Sequence, residues 1–344
     1  MNIPSVHRDY WPTREWQTAP PECVGVRPEG LIELERALGS RYGSINGIVV
    51  VRKGYIIFER YQHGFGPEDT HPVASVTKSF TSALIGIAID AGYLKDVDQK
   101  ALDFFPEYIP AASDVQKRAV SIRHLLTMTA PFAWKSGARG HEPLDRLRRQ
   151  RDWVAFILDM LGRNGQLGRF QYSSAASHLL SAILTRATGI CAREFANQRL
   201  FAPLGVRQIP DHEIKSFLVD DVFGANATGW VKDPQGNSAG GWGLCITPRD
   251  MARFGFLYLN RGAWEGQPIV SGAWVDESTA PNPNGYGYQW WLKETAYAAS
   301  GYGGNHIFCV PGKDLVVAIT SRLARRAPDR WVLLNEVILP AIED

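Results

Sequence analysis

The chain has 344 residues, of which 45% are hydrophobic, enough to bury a sizeable core as one large domain and too apolar for a disordered chain. Its 37 basic and 35 acidic residues leave a net charge of +2, so no field steers a polyanion and nucleic acid is excluded as a partner. The one basic run, Arg146 to Arg151, is interrupted by Leu147 and flanked by Asp145 and Asp152, and it reads as a solvated helix face. Taken in order, Pro28 to Leu38 sets Leu31, Leu34, Ala37 and Leu38 against Glu33, Glu35 and Arg36, which predicts an amphipathic helix. Ile45 to Val51 and Tyr55 to Tyr61 are β-branched or aromatic and joined through Lys53-Gly54, which predicts a hairpin. Gly64 to Thr70 is a turn-rich link. The run from Thr81 to Ala91 is apolar nearly all round, predicting a helix that passes through the core and stops at Gly92.

Helical signals dominate from Leu94 to about Val222. Ser121-Ile122-Arg123-His124 opens one helix with a serine cap, Arg151 to Leu161 is another, and Ala175 to Thr188, closed by Gly189, is a third. The glycine-rich stretch Gly224 to Gly243 is expected to be a long surface or site-lining loop. Thr247-Pro248-Arg249-Asp250 then starts a helix with a capping threonine, proline at its first position and an acid that reaches back. β character returns in Tyr286 to Leu292, Ala296 to Ser300, His306 to Val310 and Leu315 to Thr320, before a closing helix from Asp329 to about Ile342. Strands at both ends with helices between them predict an α+β fold: one antiparallel sheet built from the two chain ends, flanked by helices, with a helical part inserted.

Ser75 and Lys78 stand three residues apart at the mouth of the buried helix, which puts both on one helix face. A hydroxyl is a poor nucleophile until a neighbouring base takes its proton, and a lysine can be that base. Tyr172-Ser173-Ser174 precedes another helix, so its side chains sit at a helix mouth, where a phenol near an ammonium can share base and acid duty. In Ala298 to Asn305 the glycines let the backbone approach a substrate, and an exposed N–H there can join that of Ser75 around an oxyanion; a tight hairpin turn is the equal alternative. Gly236-Asn237-Ser238-Ala239-Gly240 matches G-x-S-x-G formally, but loop flanks it on both sides where a nucleophile elbow needs a strand and a helix. His124, on an apolar helix, reads as structural, and His306 as either site-lining or core. Trp134, Trp242 and Trp291 are candidates to wall a pocket for an apolar group.

Several of these pieces, in this order, resemble the serine β-lactamase and penicillin-binding protein superfamily, in its class C and carboxylesterase-like branch. The resemblance spans nearly the whole chain and rests on Ser75-Val76-Thr77-Lys78, Ser121 to Thr127, Tyr172-Ser173-Ser174, Gly241 through Asp250 to Gly255, and the glycine-rich strand before Val310-Pro311. It implies a single β-lactamase/transpeptidase-like catalytic domain over residues 1–344, with an α/β part at about 20–74 and 230–344 and a helical part at about 75–229. It implies that Ser75 is the acylated nucleophile, Lys78 its base partner, Tyr172 a proton shuttle, and the N–H groups of Ser75 and Tyr302 the oxyanion hole. Two departures bear on substrate: Ser174 stands where lactamases of this branch carry Asn, and Ala299-Ser300-Gly301 stands where they carry Lys-Thr-Gly. Both turn the expectation away from β-lactams and toward an ester or amide, as in the 6-aminohexanoate-oligomer hydrolases and related carboxylesterases. Ser174, Gly301, Gly303, Trp134, Trp242 and His306 are then the expected substrate-binding residues. A β-lactamase or D-alanyl carboxypeptidase, or a non-catalytic penicillin-binding-like sensor, is the alternative.

The four scattered cysteines lack C-x-x-C spacing and read as reduced core residues. The eight histidines form no H-E-x-x-H pattern or tight ligand cluster, so neither a metal nor another cofactor is expected. No basic segment leads into an apolar run at the N-terminus, and no segment is long and apolar enough to span a bilayer, so no membrane partner and a cytoplasmic location are expected. The expected partner is a small-molecule ester or amide.

Overall fold

A computed structural model of the chain describes residues 8–134, 143–216, 221, 224, 226–322 and 327–343. Its centre is a six-stranded antiparallel sheet with spatial order Tyr55–Tyr61, Ile45–Arg52, Leu315–Ser321, Asn305–Val310, Tyr297–Gly301 and Trp291–Leu292. The second and third of these, from opposite ends of the sequence, pair from Ile45↔Ser321 to Arg52↔Leu315. Both sheet faces are covered, which explains why Ile48-Val49-Val50-Val51 is continuously apolar. Val49 and Val51 point into the core shared with the long helices, while Ile48 and Val50 point toward the helix Pro28–Leu38 and the C-terminal helical segment. Lys53 (φ 52°) and Gly54 (φ 91°) both take left-handed geometry, as a tight hairpin turn between right-twisted strands requires.

The helix Thr77–Asp90 is buried from Thr77 to Ala88. Phe80 stacks on Phe254 at 3.9 Å, tying it to the helix Pro248–Leu259. That second helix begins as expected: Thr247 Oγ1 accepts from the Asp250 N–H (3.1 Å) and donates to the Asp250 carboxylate (2.9 Å). It packs so closely on the sheet that a Cβ on Gly255 would lie 2.7 Å from Val316.

Three expectations are corrected. Tyr286 to Leu292 is strand only at Trp291–Leu292, because Gln289 adopts a φ of 65° that no strand accommodates. The closing helix is α only over Arg330–Leu333, then widens to a π turn at Leu334–Ile338 and tightens to a 3-10 turn at Leu339–Ala341, where Pro340 has no N–H to continue an α ladder. Within Gly224 to Gly243, residues 237–243 are buried rather than on the surface, and Trp230–Val231 forms a short strand parallel to Asp211–His212. All four cysteines are free, but only Cys245 and Cys309 are buried; Cys23 is exposed. No helix among the described residues is long and apolar enough to cross a membrane.

Candidate active site

Ser75 sits in the middle of a single 3-10 turn, Ala74–Val76, that leads straight into the helix Thr77–Asp90. Ala74 enters that turn at a φ of 49°, an unfavourable value for a residue with a Cβ, so local strain lies next to the serine. One helical turn on, Lys78 is 1% exposed and its Nζ makes three contacts: Ser75 Oγ at 2.9 Å, Ser174 Oγ at 2.8 Å and the Gly241 carbonyl at 2.7 Å.

Each partner is delivered by a different element. Ser174 opens the helix Ser174–Thr188, preceded by Tyr172 and the extended Ser173. This approach is pinned by Gln171, whose N–H donates to the Met128 carbonyl (2.7 Å) and whose side-chain amide donates to the carbonyls of Phe132 (3.0 Å) and Trp134 (2.8 Å). Lys78 Nζ lies 4.9 Å from the Tyr172 ring centroid. That ring stacks on Trp291 (5.8 Å) and meets Tyr286 edge-on (6.0 Å), with Phe170 against both partners, so one side of the site is an aromatic wall.

The Gly241 carbonyl reaches Lys78 because neither Gly240 nor Gly241 has a side chain. A Cβ on Gly240 would lie 2.0 Å from the Ser177 carbonyl, and one on Gly241 would lie 2.9 Å from Ser174 Cβ. Thr81 donates to the Gly240 carbonyl (2.8 Å), which fixes the segment and aims the next carbonyl at Lys78.

The third side is the turn between the strands Tyr297–Gly301 and Asn305–Val310. A Cβ on Gly301 would lie 2.3 Å from the Val73 carbonyl and 3.2 Å from the Ser75 nitrogen, so this strand end abuts the serine's own backbone. Tyr302 is 46% exposed, and Gly303 and Gly304 follow at φ values of 87° and 95°. The two readings of this stretch, hairpin turn and backbone platform beside Ser75, are thus the same object.

The other expected residues have the following surroundings. Trp134 is fully buried beside Gln171, and Trp242, 3% exposed, stacks on Trp153. Trp291, of the three tryptophans, is the one on Tyr172. His306 pairs across the strands with Ser300 and stacks on Phe308, on the sheet face opposite the one Gly301 turns toward Ser75. Ser238 is 1% exposed and its Oγ accepts from the Arg193 N–H (2.9 Å), so it is a buried structural hydroxyl. His124 accepts the Ser121 N–H at Nδ1 (3.2 Å), closing the cap of the helix Ile122–Leu126, and burial lowers its pKa. Residues 135–142, which follow Trp134, lie outside the described residues.

Two buried polar groups near the site carried no sequence signal. Gln289 accepts from Ser79 Oγ at its carbonyl and from Ser177 Oγ at its side chain (both 2.7 Å), and donates to the carbonyls of Leu125 (3.0 Å) and Leu126 (2.8 Å). It therefore ties the Ser75 helix, the Ser174 helix and the helix Ile122–Leu126 together. His178, one turn after Ser174, donates to Asp233 (3.0 Å), which also accepts from the Asn237 backbone (2.7 Å) and side chain (2.9 Å). Burial pushes the Asp233 pKa up, but the His178 and Asn237 hydrogen bonds outweigh it and hold the carboxyl below its usual value.

The model of the family described as Beta-lactamase matches residues 33–337. The chain is 28% identical over 323 residues to the 6-aminohexanoate-dimer hydrolase of Paenarthrobacter ureafaciens, covering 86% of this chain and 76% of that protein. It is 28% identical over 275 residues to penicillin-binding protein 4 of Amycolatopsis lactamdurans, covering 71% and 70%. The crystal structure of a family VIII carboxylesterase superposes with a TM-score of 0.64 at 16% identity, over 92% of this chain and 99% of the other.

Proposed function

Because this chain belongs to the beta-lactamase family and is a hydrolase of the serine type that has esterase and amidase relatives, we propose that Ser75, Lys78 and Tyr172 are the groups through which it cleaves an ester or amide. The observation that carries this reading is the Lys78 contact to Ser75 Oγ at 2.9 Å, on a lysine buried between Ser174 and the Gly241 carbonyl.

As Ser75 Oγ bonds to the substrate's carbonyl carbon, its proton passes to the Lys78–Tyr172 pair. The carbonyl oxygen becomes an oxyanion that accepts from the N–H groups of Ser75 and Tyr302. Collapse breaks the C–O or C–N bond, and the leaving alcohol or amine takes back the proton. Water then gives its proton to the same pair, adds to the acyl carbon and releases the acid and Ser75. The wall of Phe170, Tyr172, Tyr286 and Trp291 supports an apolar group beside the scissile bond. Ala299-Ser300-Gly301, without a cation, and Ser174 in place of Asn support an uncharged ester or amide over a β-lactam. The name of the Paenarthrobacter relative makes the dimer of 6-aminohexanoate the first amide to try.

Mass spectrometry of the intact protein with short-chain p-nitrophenyl esters, that dimer and nitrocefin tests the reading. Ser75→Ala is expected to abolish both the acyl adduct and turnover, while Ser238→Ala keeps both. Turnover by Ser75→Ala at the wild-type rate would overturn the assignment, a slowly decaying adduct would favour a sensor, and rapid nitrocefin hydrolysis would restore the β-lactamase alternative.

A further inference from the structure

Arg330 is 1% exposed and, among the described residues, forms no ion pair with a carboxylate. Its Nη2 donates to Ser44 Oγ (2.8 Å) and Ser321 Oγ (3.2 Å), and its guanidinium lies 5.3 Å from the Tyr42 ring centroid. Nε and Nη1 are buried with no hydrogen-bond partner among the described residues. A buried charge without a hydrogen-bonded counter-ion is costly, and two hydroxyl contacts, a ring face and the field of the neighbouring Asp329 carboxylate offset that cost only in part. Burial pulls its pKa down to about 10, which leaves it charged at neutral pH.

The charge lies directly behind the turn that faces Ser75. A Cβ on Gly304 would lie 2.9 Å from Arg330 Nε and 3.1 Å from Nη2. Ser321 Oγ accepts from Arg330 and donates to the Gly304 carbonyl (3.2 Å), while the Ser321 N–H donates to Asn305 Oδ1 (2.9 Å) and Asn305 Nδ2 to the Tyr302 carbonyl (2.9 Å). The Gly304 N–H donates to the Gly301 carbonyl (3.2 Å), and that carbonyl shares a peptide with the Tyr302 N–H. These bonds brace the turn, and the Arg330 charge behind Gly304 adds positive potential to it through space.

We propose that Arg330 is a positioning residue of the oxyanion turn: from behind Gly304 it braces the turn and lends positive potential to the place where the Ser75 and Tyr302 N–H groups meet a tetrahedral oxyanion. This rests on the reading of Ser75 as the acylated serine. Such a charge acts on the transition state and leaves binding of a neutral substrate nearly untouched.

The test compares Arg330→Met, Arg330→Lys and Ser321→Ala with wild type, using a p-nitrophenyl ester for kcat and KM and phenylboronic acid as an anionic tetrahedral adduct of Ser75. Arg330→Met is expected to lower kcat and boronate affinity together by about tenfold to a hundredfold, with KM within about twofold. Its thermal midpoint is expected to hold or rise, because an unpaired buried charge has gone. Arg330→Lys is expected to retain both properties within about fivefold, and Ser321→Ala to fall between the two. Wild-type kcat and boronate affinity in Arg330→Met, or a change in KM alone, would overturn the proposal. Should Arg330→Met fail to fold, Arg330→Gln takes its place, and equal behaviour of the Gln and Lys variants would overturn the proposal as well. Wild-type protein that turns over no ester and binds no boronate overturns the parent reading, and this proposal with it, before any variant is made.

Discussion

Lys78 holds its position through three contacts that arrive from three separate parts of the sequence, and only the one to Ser75 is local. The Ser174 hydroxyl supplies the second. Ser174→Ala removes one partner of a buried amine, a loss of about 1.5–3 kcal/mol for a hydrogen bond to a charged group. Ester turnover is therefore expected to fall about tenfold to a hundredfold, with the KM for the ester little changed and the thermal midpoint lowered by several degrees; unchanged kcat would show that Ser174 does not orient Lys78. The Ser75–Lys78 pairing was legible because a three-residue spacing on a helix admits one geometry. Gln289 was not. Nothing in Tyr288-Gln289-Trp290-Trp291 marks a glutamine at a φ of 65°, and its four contacts to Ser79, Ser177, Leu125 and Leu126 exist only once the helices have met.

The strand Tyr297–Gly301 ends against the 3-10 turn that carries Ser75, and glycine there is a matter of space, since a Cβ would lie 2.3 Å from the Val73 carbonyl. Gly301→Ala is expected to push strand and turn apart, reducing ester hydrolysis at least about a hundredfold and costing about 1–3 kcal/mol of stability in urea unfolding. Full activity in that variant would mean the strand end does not support Ser75. Alternating or continuous β-branched runs made the long strands readable, and the Thr247 cap made its helix start readable. Side-chain direction on a strand was not readable without knowing which face each strand turns to the long helices, and this is why His306 was expected near the site and stands on the far side of the sheet. Tryptophans give no better signal, since the same ring fills a core, as Trp134 does, or stacks on Tyr172, as Trp291 does.

Taken as a whole, the molecule holds two imidazoles, one buried and one half-buried, in forms that resist protonation. His71, 2% exposed, and His306 both have pKa values pulled down to about 4, chiefly by burial. In the unfolded chain each titrates near the usual value of about 6.5. Between those values the unfolded state holds more protons, so this stability is fully present above about pH 6.5 and is lost as pH falls toward 4, by up to about 1.4 kcal/mol per pH unit for each ring. Urea unfolding at pH 7.5 and pH 5 should show that loss, and His71→Gln should flatten the slope. A flat profile in wild type would mean that these imidazoles are not held neutral. The Asp233 contribution has the same sign in a lower window: it is present above the ordinary carboxylate pKa and lost only in stronger acid.

The pairing of Ile45–Arg52 with Leu315–Ser321 also sets a schedule for synthesis. Ser75 and Lys78 leave the ribosome about 225 residues ahead of the Gly301 turn that abuts them, a delay of roughly 10–45 s at about 5–20 residues per second. Throughout that interval the nascent chain owns a serine and a lysine side by side but no second wall to the cleft, and its central strand Ile45–Arg52 has one edge unpaired until Leu315–Ser321 emerges. The same delay makes the half-made sheet the stage at which this chain is most exposed to aggregation.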